Sequence, residues 1–322
     1  MLRVLASEIA ASLLVILIAT ALVFALLQAM PGGPLARLLP AGLTVDRLAE
    51  AEIAQLRTAY GLEGGAVQQF ACWWREVLRG NLGPSPYYPG PHAVREVVFH
   101  GFARTLLLVA LAVLLLVVTT LPLGYLLGAR HPPAWARAWS ALGTVACSVP
   151  AFLACLFFFY LFLGLGLEPI RSTVVQRDYP PLLRAIIVLL PCAILASSEG
   201  LFREAVATAR RESRALREQD HVLAALCRGE RVTGRILRGL ALPMIGVLEG
   251  RMLHLLSTAV VVERVFDING LGYISWEAIG HKDYFMILAV TLVLAVTARA
   301  VRCAARMLGG LMDPRLRRGE VT

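Results

Sequence analysis

Lysine is nearly missing from this chain: of its 31 basic residues, only Lys282 is a lysine. A nucleotide-binding P-loop requires a lysine followed by serine or threonine after a glycine-rich turn. Lys282 is followed by Asp283 instead. The sequence therefore contains no site of this type, and the chain is not an ATPase of that class.

Paired cysteines and common catalytic signatures are also absent. The six cysteines are scattered without a C-x-x-C pair, so they predict neither a disulfide framework nor a zinc site. The motifs H-E-x-x-H and G-x-S-x-G, which mark metalloproteases and hydrolases, do not occur. We therefore assign no catalytic, metal-binding or cofactor-binding residue, and we expect a chain that is not an enzyme.

Apolar residues, by contrast, are abundant. They make up 58% of the chain, and the mean hydropathy is +0.69, whereas soluble domains average about 45–50% apolar residues. The net charge of +9 would suit nucleic acid. However, the basic residues are spread over loops between apolar runs, without patches interleaved with aromatics. The composition indicates an all-α integral membrane protein with lipid, and no nucleic acid, as its partner.

The hydropathy pattern predicts six membrane-spanning helices. A bilayer core about 30 Å thick requires roughly 20 apolar residues per helix. The first run is longer than the apolar region of a typical signal peptide and is followed by no cleavage site, so we expect it to be retained. The last two runs are interrupted by charged residues. The six runs are 9–30, 105–129, 139–167, 182–202, 240–262 and 284–308.

The charges between these runs predict the orientation. Segment 202–238 carries nine arginines and five acidic residues, whereas 31–103 carries six of each. Because cytoplasmic loops are enriched in arginine and lysine, the basic segment and both termini are expected in the cytoplasm. The stretch 31–103 is too long for a simple connector. We expect it to form a small ordered cap outside the membrane, with an irregular loop as the alternative.

These boundaries predict four parts of the chain. They are an N-terminal transmembrane helix (1–30), an extracytoplasmic cap (31–103), a transmembrane core (104–310) that contains a cytoplasmic loop (203–240), and a cytoplasmic tail (311–322).

The cytoplasmic loop contains a short helix that begins at Asp220 and is expected to stop at Gly229. Glycine can adopt the left-handed conformation that ends a helix. Ala225 and Gly229 are four residues apart, so we place both on one face, where small side chains let another backbone approach closely. Leu223 and Leu226 add apolar contacts nearby. A second helical run, over 233–240, should follow.

This loop carries a family resemblance. Ala224-Ala225-x-x-x-Gly229, followed by Leu242-Pro243, resembles the EAA loop of binding-protein-dependent ABC importer permeases. Leu223 stands where that family has its leading glutamate, and Arg228 where it has a lysine. In the family, the loop forms the coupling helix that docks into the ATPase subunit. The resemblance therefore implies these ATPase-coupling residues: Asp220, Leu223, Ala224, Ala225, Leu226, Arg228 and Gly229.

Further motifs resemble those of dipeptide, oligopeptide and nickel permeases, in the same order along the chain from about residue 30 to 315. Gly33 replaces the aspartate that the family has after its first span. The motifs are Met30-Pro31-Gly32-Gly33-Pro34, Tyr60-Gly61-Leu62-Glu63, Gln69-Phe70, Trp73, Leu78-Arg79-Gly80-Asn81-Leu82-Gly83, Ser85, Ser148-Val149-Pro150-Ala151-Phe152, Val262-Glu263-Arg264-Val265-Phe266, Asn269-Gly270-Leu271-Gly272, Ala278, Asp283-Tyr284 and Asp313-Pro314-Arg315.

The resemblance implies a type I importer with the MetI-like permease fold in a bacterial inner membrane, and this chain as the first of two permease subunits. The implied partners are a homologous second permease, two ATPase subunits that bind ATP and magnesium, and an extracytoplasmic solute-binding protein. This chain itself would bind no cofactor. We place peptides first as cargo, with nickel or a metal chelate as the alternative.

The segment before the last span contains candidate gate residues. Gly270 and Gly272 permit a tight turn, and Phe266 is an apolar plug close to Glu263. Because irregular chain at membrane depth is tolerated only when it is buried in protein or lines a cavity, we expect a short re-entrant element. A simple hairpin is the alternative.

The fifth span holds Glu249, Arg251 and His254 in otherwise apolar sequence. A charge at the bilayer centre costs about 2.5–3.5 kcal/mol, so these side chains should avoid lipid. Arg251 and His254 lie about 60° apart on the helix and are candidates to line the pathway. The alternative is an ion-pair network between helices. The same residues would serve a proton-coupled secondary transporter, a rival from another functional class.

Overall fold

A computed structural model describes residues 2–30, 50–88, 93–165 and 181–312 of the chain. The predicted motifs at 31–34 and 313–315, and the first part of the predicted cap, lie outside the described residues. Within the described ranges the chain is helical and contains no strand. Its α-helices are α1 (Leu2–Ala29), α2 (Glu50–Ala59), α3 (Ala66–Leu78), α4 (Ala93–Leu127), α5 (Ala134–Ala146), α6 (Ala151–Gly164), α7 (Pro181–Ser197), α8 (Leu201–Arg217), α9 (Asp220–Cys227), α10 (Thr233–Gly239), α11 (Ala241–Val265), α12 (Leu271–His281) and α13 (Tyr284–Met312).

Four of the described helical stretches are long and apolar enough to cross a membrane: Ser7–Ala29, Ala93–Leu127, Thr233–Val265 and Tyr284–Gly309. The bent pair α5 and α6 would make a fifth if it forms one span. Many large apolar side chains on these helices are exposed on the isolated chain, as Leu13 and Leu22 are on α1. Lipid in place of water as solvent explains this exposure.

The predicted third span, 139–167, is broken into α5 and α6, whose axes meet at 97°. Pro150 is the N-cap of α6, with extended ψ. Proline has no backbone N–H and disfavours helical geometry at the preceding residue, here Val149. The run 139–167 is apolar throughout, so hydropathy alone predicted one continuous span. Hydropathy carries no information about backbone geometry.

The predicted fourth span, 182–202, corresponds to the 17-residue helix α7 and a sharp turn. A 3-10 turn at Ser198–Gly200 follows α7, and both Glu199 (φ 47°) and Gly200 (φ 82°) adopt left-handed geometry. The chain then enters α8 in a new direction. α7 is not among the four long apolar helices, so six spans remain a prediction.

The chain forms two compact units. One comprises Met1–Thr105 and Asn269–Ala300, and the other comprises Leu106–Ile268 and Val301–Thr322. The described part of the predicted cap contributes α2, α3 and the start of α4 to the first unit, and its residues 60–65 and 79–88 are not helical.

The core of the first unit is rich in aromatic side chains. Phe70 lies edge-on to Phe24, with ring centroids 5.1 Å apart, and Trp73 lies 5.6 Å from Trp74. Edge-to-face geometry of this kind is the favoured arrangement of aromatic pairs. Tyr284, at the start of α13, completes the group at 5.9 Å from Phe24. We refer to these five residues as the aromatic cluster.

The second unit is organised around α8, which packs against α5, α7, α9, α10 and α11. Small residues permit close approach. A Cβ atom added at Gly124 of α4 would lie 2.3 Å from the Cβ of Ala209 and 2.9 Å from its carbonyl carbon. Such spacing admits only glycine, so α4 and α8 are in backbone contact here.

Candidate coupling and pathway residues

The predicted short helix before Gly229 is α9, and glycine geometry ends it. Gly229 has φ +73° and donates its backbone N–H to the Leu226 carbonyl oxygen at 3.0 Å. Glu230 donates its N–H to the Ala225 carbonyl oxygen, also at 3.0 Å. These two bonds form a Schellman motif, which satisfies the last carbonyl groups of the helix.

The outward face of α9 differs from the predicted one. Leu223 and Leu226 are 45% and 44% exposed, and Ala224 is exposed between them. Ala225, however, is fully buried within this chain. The prediction that Ala225 and Gly229 share an accessible face was therefore wrong, because Gly229 lies beyond the helix end and Ala225 serves to hold α9 in place. Asp220, Arg228 and Gly229 are exposed.

The second predicted helical run is also present, as α10. Ile236 is buried on it, as is Val232 just before it. Between α9 and α10, Glu230 accepts hydrogen bonds from Arg228 at 2.7 Å and Arg235 at 2.9 Å. The bond from Arg228 is the main cause of a lowered pKa at the Glu230 carboxyl. This ion pair is exposed, so it orients the loop and contributes little stability.

Tyr125, near the C-terminal end of α4, contacts two other helices, and sequence reasoning missed these contacts. Its carbonyl oxygen accepts hydrogen bonds from Arg217 at 3.2 Å and Ser213 at 3.4 Å, both on α8. The Arg217 guanidinium also lies 4.5 Å from the Tyr125 ring centroid. The Tyr125 hydroxyl forms a hydrogen bond with the Thr233 hydroxyl of α10 at 3.0 Å. A tyrosine at the end of an apolar run gives no sequence signal for these distant partners.

Three candidate pathway residues of α11, Glu249, Arg251 and His254, contact charged residues on other helical segments. Arg251 donates to Glu204 of α8 at 2.6 Å. Glu249 lies 3.3 Å from Arg302 and 3.5 Å from Arg306, both on α13. His254 forms an ion pair with Glu199. These contacts match the ion-pair alternative, and a pathway role for these residues stays a prediction.

The candidate gate segment turns at a residue other than the predicted glycines. Glu263 and Phe266 are fully buried at the end of α11. The left-handed residue is Asp267, with φ 54°, whereas Gly270 is extended, with φ −94°. Gly272 lies within α12. The glycine explanation was therefore wrong: aspartate is one of the few side chains that tolerate this conformation. A helix of 11 residues, and not a bare hairpin, follows the turn.

The start of α12 is held by α4. Thr105 accepts a hydrogen bond from the Leu271 N–H at 2.7 Å, which satisfies one of the free amides at the helix start. A Cβ atom added at Gly101 would lie 3.3 Å from the Gly270 carbonyl carbon and 2.2 Å from the Cδ1 atom of Ile274. The absence of a side chain at Gly101 therefore allows the backbone of α4 to approach the backbone of Gly270 closely.

Ser85, one of the predicted family-motif residues, and the nearby Tyr87 contact the segment just before α13. Ser85 donates its hydroxyl to the Asp283 carboxylate, and Tyr87 donates its hydroxyl to the His281 carbonyl oxygen at 3.0 Å. Burial raises the pKa of Asp283, while the bonds from Ser85 and from the Met286 N–H oppose that rise. Two motifs about 200 residues apart in sequence thus form one contact.

Within the described ranges, no three histidine, cysteine or acidic side chains are grouped as a metal site would require.

Comparison with known proteins bears on the family to which the chain belongs. The family model for the binding-protein-dependent transport system inner membrane component matches residues 120–318, more than half of the chain. A protein of Brucella suis named "Putative peptide permease protein" is 26% identical over 307 residues, which cover 92% of this chain and 93% of that protein. The nickel import system permease protein NikB of Staphylococcus aureus is 25% identical over 309 residues, which cover 95% of this chain and 89% of that protein.

Proposed function

This chain belongs to the family of binding-protein-dependent transport system inner membrane components, the permeases of ABC importers, and we propose that it forms half of the pathway of a peptide importer. The support for peptide cargo is the similarity to the Brucella suis protein along nearly the whole chain. The similarity to the NikB protein is almost as strong. Import of nickel or a metal chelate is therefore the second candidate.

The observation that carries the coupling proposal is the way α9 is held. Val222 and Ala225 are buried against the chain, while Leu223 and Leu226 remain almost half exposed. Leucines left in water at a fixed position favour contact with another surface. The Schellman motif at Gly229 and the burial of Val222 hold α9 in a fixed position, with Leu223 and Leu226 on its exposed face. We assign this apolar face to contact with the ATPase subunit.

Packing offers a route by which movement of α9 reaches the membrane helices. α8 contacts α9 and α10 and also α5, α7 and α11. The contacts of Tyr125 add hydrogen bonds from α8 and α10 to α4. A push on α9 therefore shifts several helices together. Alternating access requires that ATP binding favour one of the two states of this assembly.

The remaining parts of the proposal follow the family. The chain spans a bacterial inner membrane six times, with both termini in the cytoplasm and the 31–103 insertion outside. It pairs with a homologous permease, two ATPase subunits supply ATP hydrolysis, and a solute-binding protein delivers cargo. The charged residues of α11 act mainly between helices.

The coupling proposal is tested with Leu223→Asp in a complex expressed together with its neighbouring transport genes. A buried carboxylate in the ATPase groove is costly, so we expect the ATPase subunit to be lost from affinity-purified membranes while the amount of inserted permease stays unchanged. Ala215→Asp adds the same charge at an exposed position of α8 and should retain the ATPase.

Two results would count against the proposal. Normal recovery of the ATPase with Leu223→Asp would remove α9 from the interface. Nucleotide-independent uptake by the chain alone in vesicles would instead favour the proton-coupled secondary transporter. Uptake of labelled peptide against labelled nickel by the intact complex separates the two cargo candidates.

A further inference from the structure

A pocket between α5 and α8 contains four arginines. The cavity measures about 400 Å³ and lies within the second unit. Leu127, Val206 and Ala207 form its apolar part. Its polar lining consists of Arg203, Arg210, Arg211 and Arg214 from α8 and of Ser140 and Thr144 from α5. We refer to this cavity as the arginine pocket.

The positive charge of the arginine pocket is largely uncompensated. Arg203 and Arg210 have no carboxylate within ion-pair distance among the described residues. In the described part of the chain, the Arg211 side chain bonds only the Thr208 hydroxyl, at 3.3 Å. Arg214 lies 3.7 Å from Glu218, and both side chains are more than 70% exposed, so this pair is weak. All four arginines are exposed, so water screens their mutual repulsion, but four guanidinium groups around one cavity favour the binding of an anion.

Phosphate is the anion that suits this lining best. The planar guanidinium group offers paired N–H donors that match two phosphate oxygens. The hydroxyl of Ser140 adds a neutral donor on the opposite wall. The apolar part of the cavity accommodates carbon atoms attached to the phosphate. The chemistry therefore fits a phosphate ester better than a free inorganic ion.

The position of the pocket on α5 indicates where the phosphate ester comes from. The other side of α5 exposes Trp135 (63%), Trp139 (53%) and Leu142 (61%) as an apolar stripe. Tryptophan is enriched at the membrane interface, at the level of lipid headgroups. Trp139 precedes Ser140 directly, so the pocket and this interfacial tryptophan lie at the same depth on α5.

We propose that the arginine pocket binds the phosphate headgroup of an anionic phospholipid. Basic pockets between membrane helices on the cytoplasmic side are suited to such headgroups. A bound lipid would join α5 to α8, the helix that carries the coupling loop. This inference rests on the membrane placement of the chain and is independent of its cargo.

The test measures lipid retention by native mass spectrometry of the intact purified complex. Dioleoyl phosphatidylglycerol and the zwitterionic dioleoyl phosphatidylcholine are titrated into detergent solution. We expect wild type to retain phosphatidylglycerol selectively, and Arg203→Gln/Arg210→Gln to require about tenfold more lipid for the same occupancy. Arg203→Lys/Arg210→Lys keeps both charges and should retain most of the binding.

The matched control is Arg130→Gln/Arg137→Gln, which removes two exposed arginines outside the pocket. We expect it to bind phosphatidylglycerol like wild type. Equal retention of the two lipids by wild type, or an equal loss in both glutamine variants, would overturn the proposal. Displacement of phosphatidylglycerol by equimolar inorganic phosphate would overturn the lipid source and assign the pocket to a soluble phosphate. A thermal unfolding curve for each variant separates lost binding from lost folding.

Discussion

The aromatic cluster of the first unit and the α9–α10 segment of the second unit are stabilised in different ways. Trp73 in the cluster is 95% buried and packs on Phe70 and Trp74. In α9–α10, by contrast, Leu223 and Leu226 stay almost half exposed, while the burial of Ala225 and a glycine cap hold α9 in place. Trp73 and Tyr284 of the cluster are buried within this chain, whereas α9 exposes apolar surface that we propose for contact with the ATPase subunit.

The largest effect should follow from opening the aromatic cluster. Trp73→Ala removes a buried ring and leaves a cavity, so we expect a loss of about 3–5 kcal/mol in unfolding free energy. Thermal unfolding of the purified permease measures the change. Val67→Ala is the control on the same helix, because Val67 is 83% exposed and should be nearly neutral. Equal melting of the two variants would show that the cluster does not stabilise the protein.

A smaller effect should follow from weakening the cap of α9. Gly229→Ala has room for its methyl group but must adopt φ +73°, at a cost of about 1 kcal/mol. We expect faster hydrogen exchange in α9 with little change in global unfolding. Gly234→Ala, also in open space but inside α10, should slow exchange there. Unchanged exchange in α9 would mean that the glycine cap does not fix this helix.

The smallest expected change in stability follows from replacing a carboxyl group in each region: the buried Asp283 in the first unit and the exposed Glu230 in the second. The folded-state pKa of Asp283 is raised above its ordinary value of 3.8. Its stabilising contribution is therefore complete below about pH 3.8 and is lost as the pH rises through the folded-state pKa. Asp283→Asn removes the charge and keeps one oxygen to accept from the Met286 N–H, while its NH2 group must donate to the Ser85 hydroxyl instead of accepting from it. At pH 7 we therefore expect equal stability or a gain of at most about 1 kcal/mol.

Thermal unfolding of Asp283→Asn between pH 4 and pH 7 checks this sign. The variant should lose less stability than wild type over that interval. Glu230→Gln is the comparison in the other region. The lowered pKa of this carboxyl makes its contribution complete above about pH 4.5 and lost as the pH falls below that value. Because the ion pair is exposed, the contribution is small, and we expect the variant to leave the pH dependence between pH 5 and pH 7 unchanged. A steeper pH dependence in Asp283→Asn would contradict the assignment of burial as the dominant cause.

Sequence reasoning succeeded where the signal is local. The end of α9 at Gly229 was predictable because few residues other than glycine adopt φ +73° at low cost. α10 followed from a short periodic run after it. The four long apolar helices followed from composition and length.

It failed where an inference required knowledge of the neighbouring helices. Ala225 shares the small size of a docking residue, yet it is buried by its own chain. The left-handed residue near the candidate gate is Asp267, and neither of the two predicted glycines has a positive φ. The partners of Arg251 and Glu249 lie 47 and 53 residues away in sequence, with no local signal to identify them.

The sequence by itself determined that this chain is helical, suited to lipid and without a P-loop for ATP, since composition and short motifs act over a few residues. Only the tertiary structure decided which side chains of α9 face outward, where the third and fourth apolar runs bend, and that four arginines line one pocket. Those outcomes depend on which surfaces of distant helices contact each other. The order of apolar and polar residues in a short segment does not show which of its side chains a distant helix will bury.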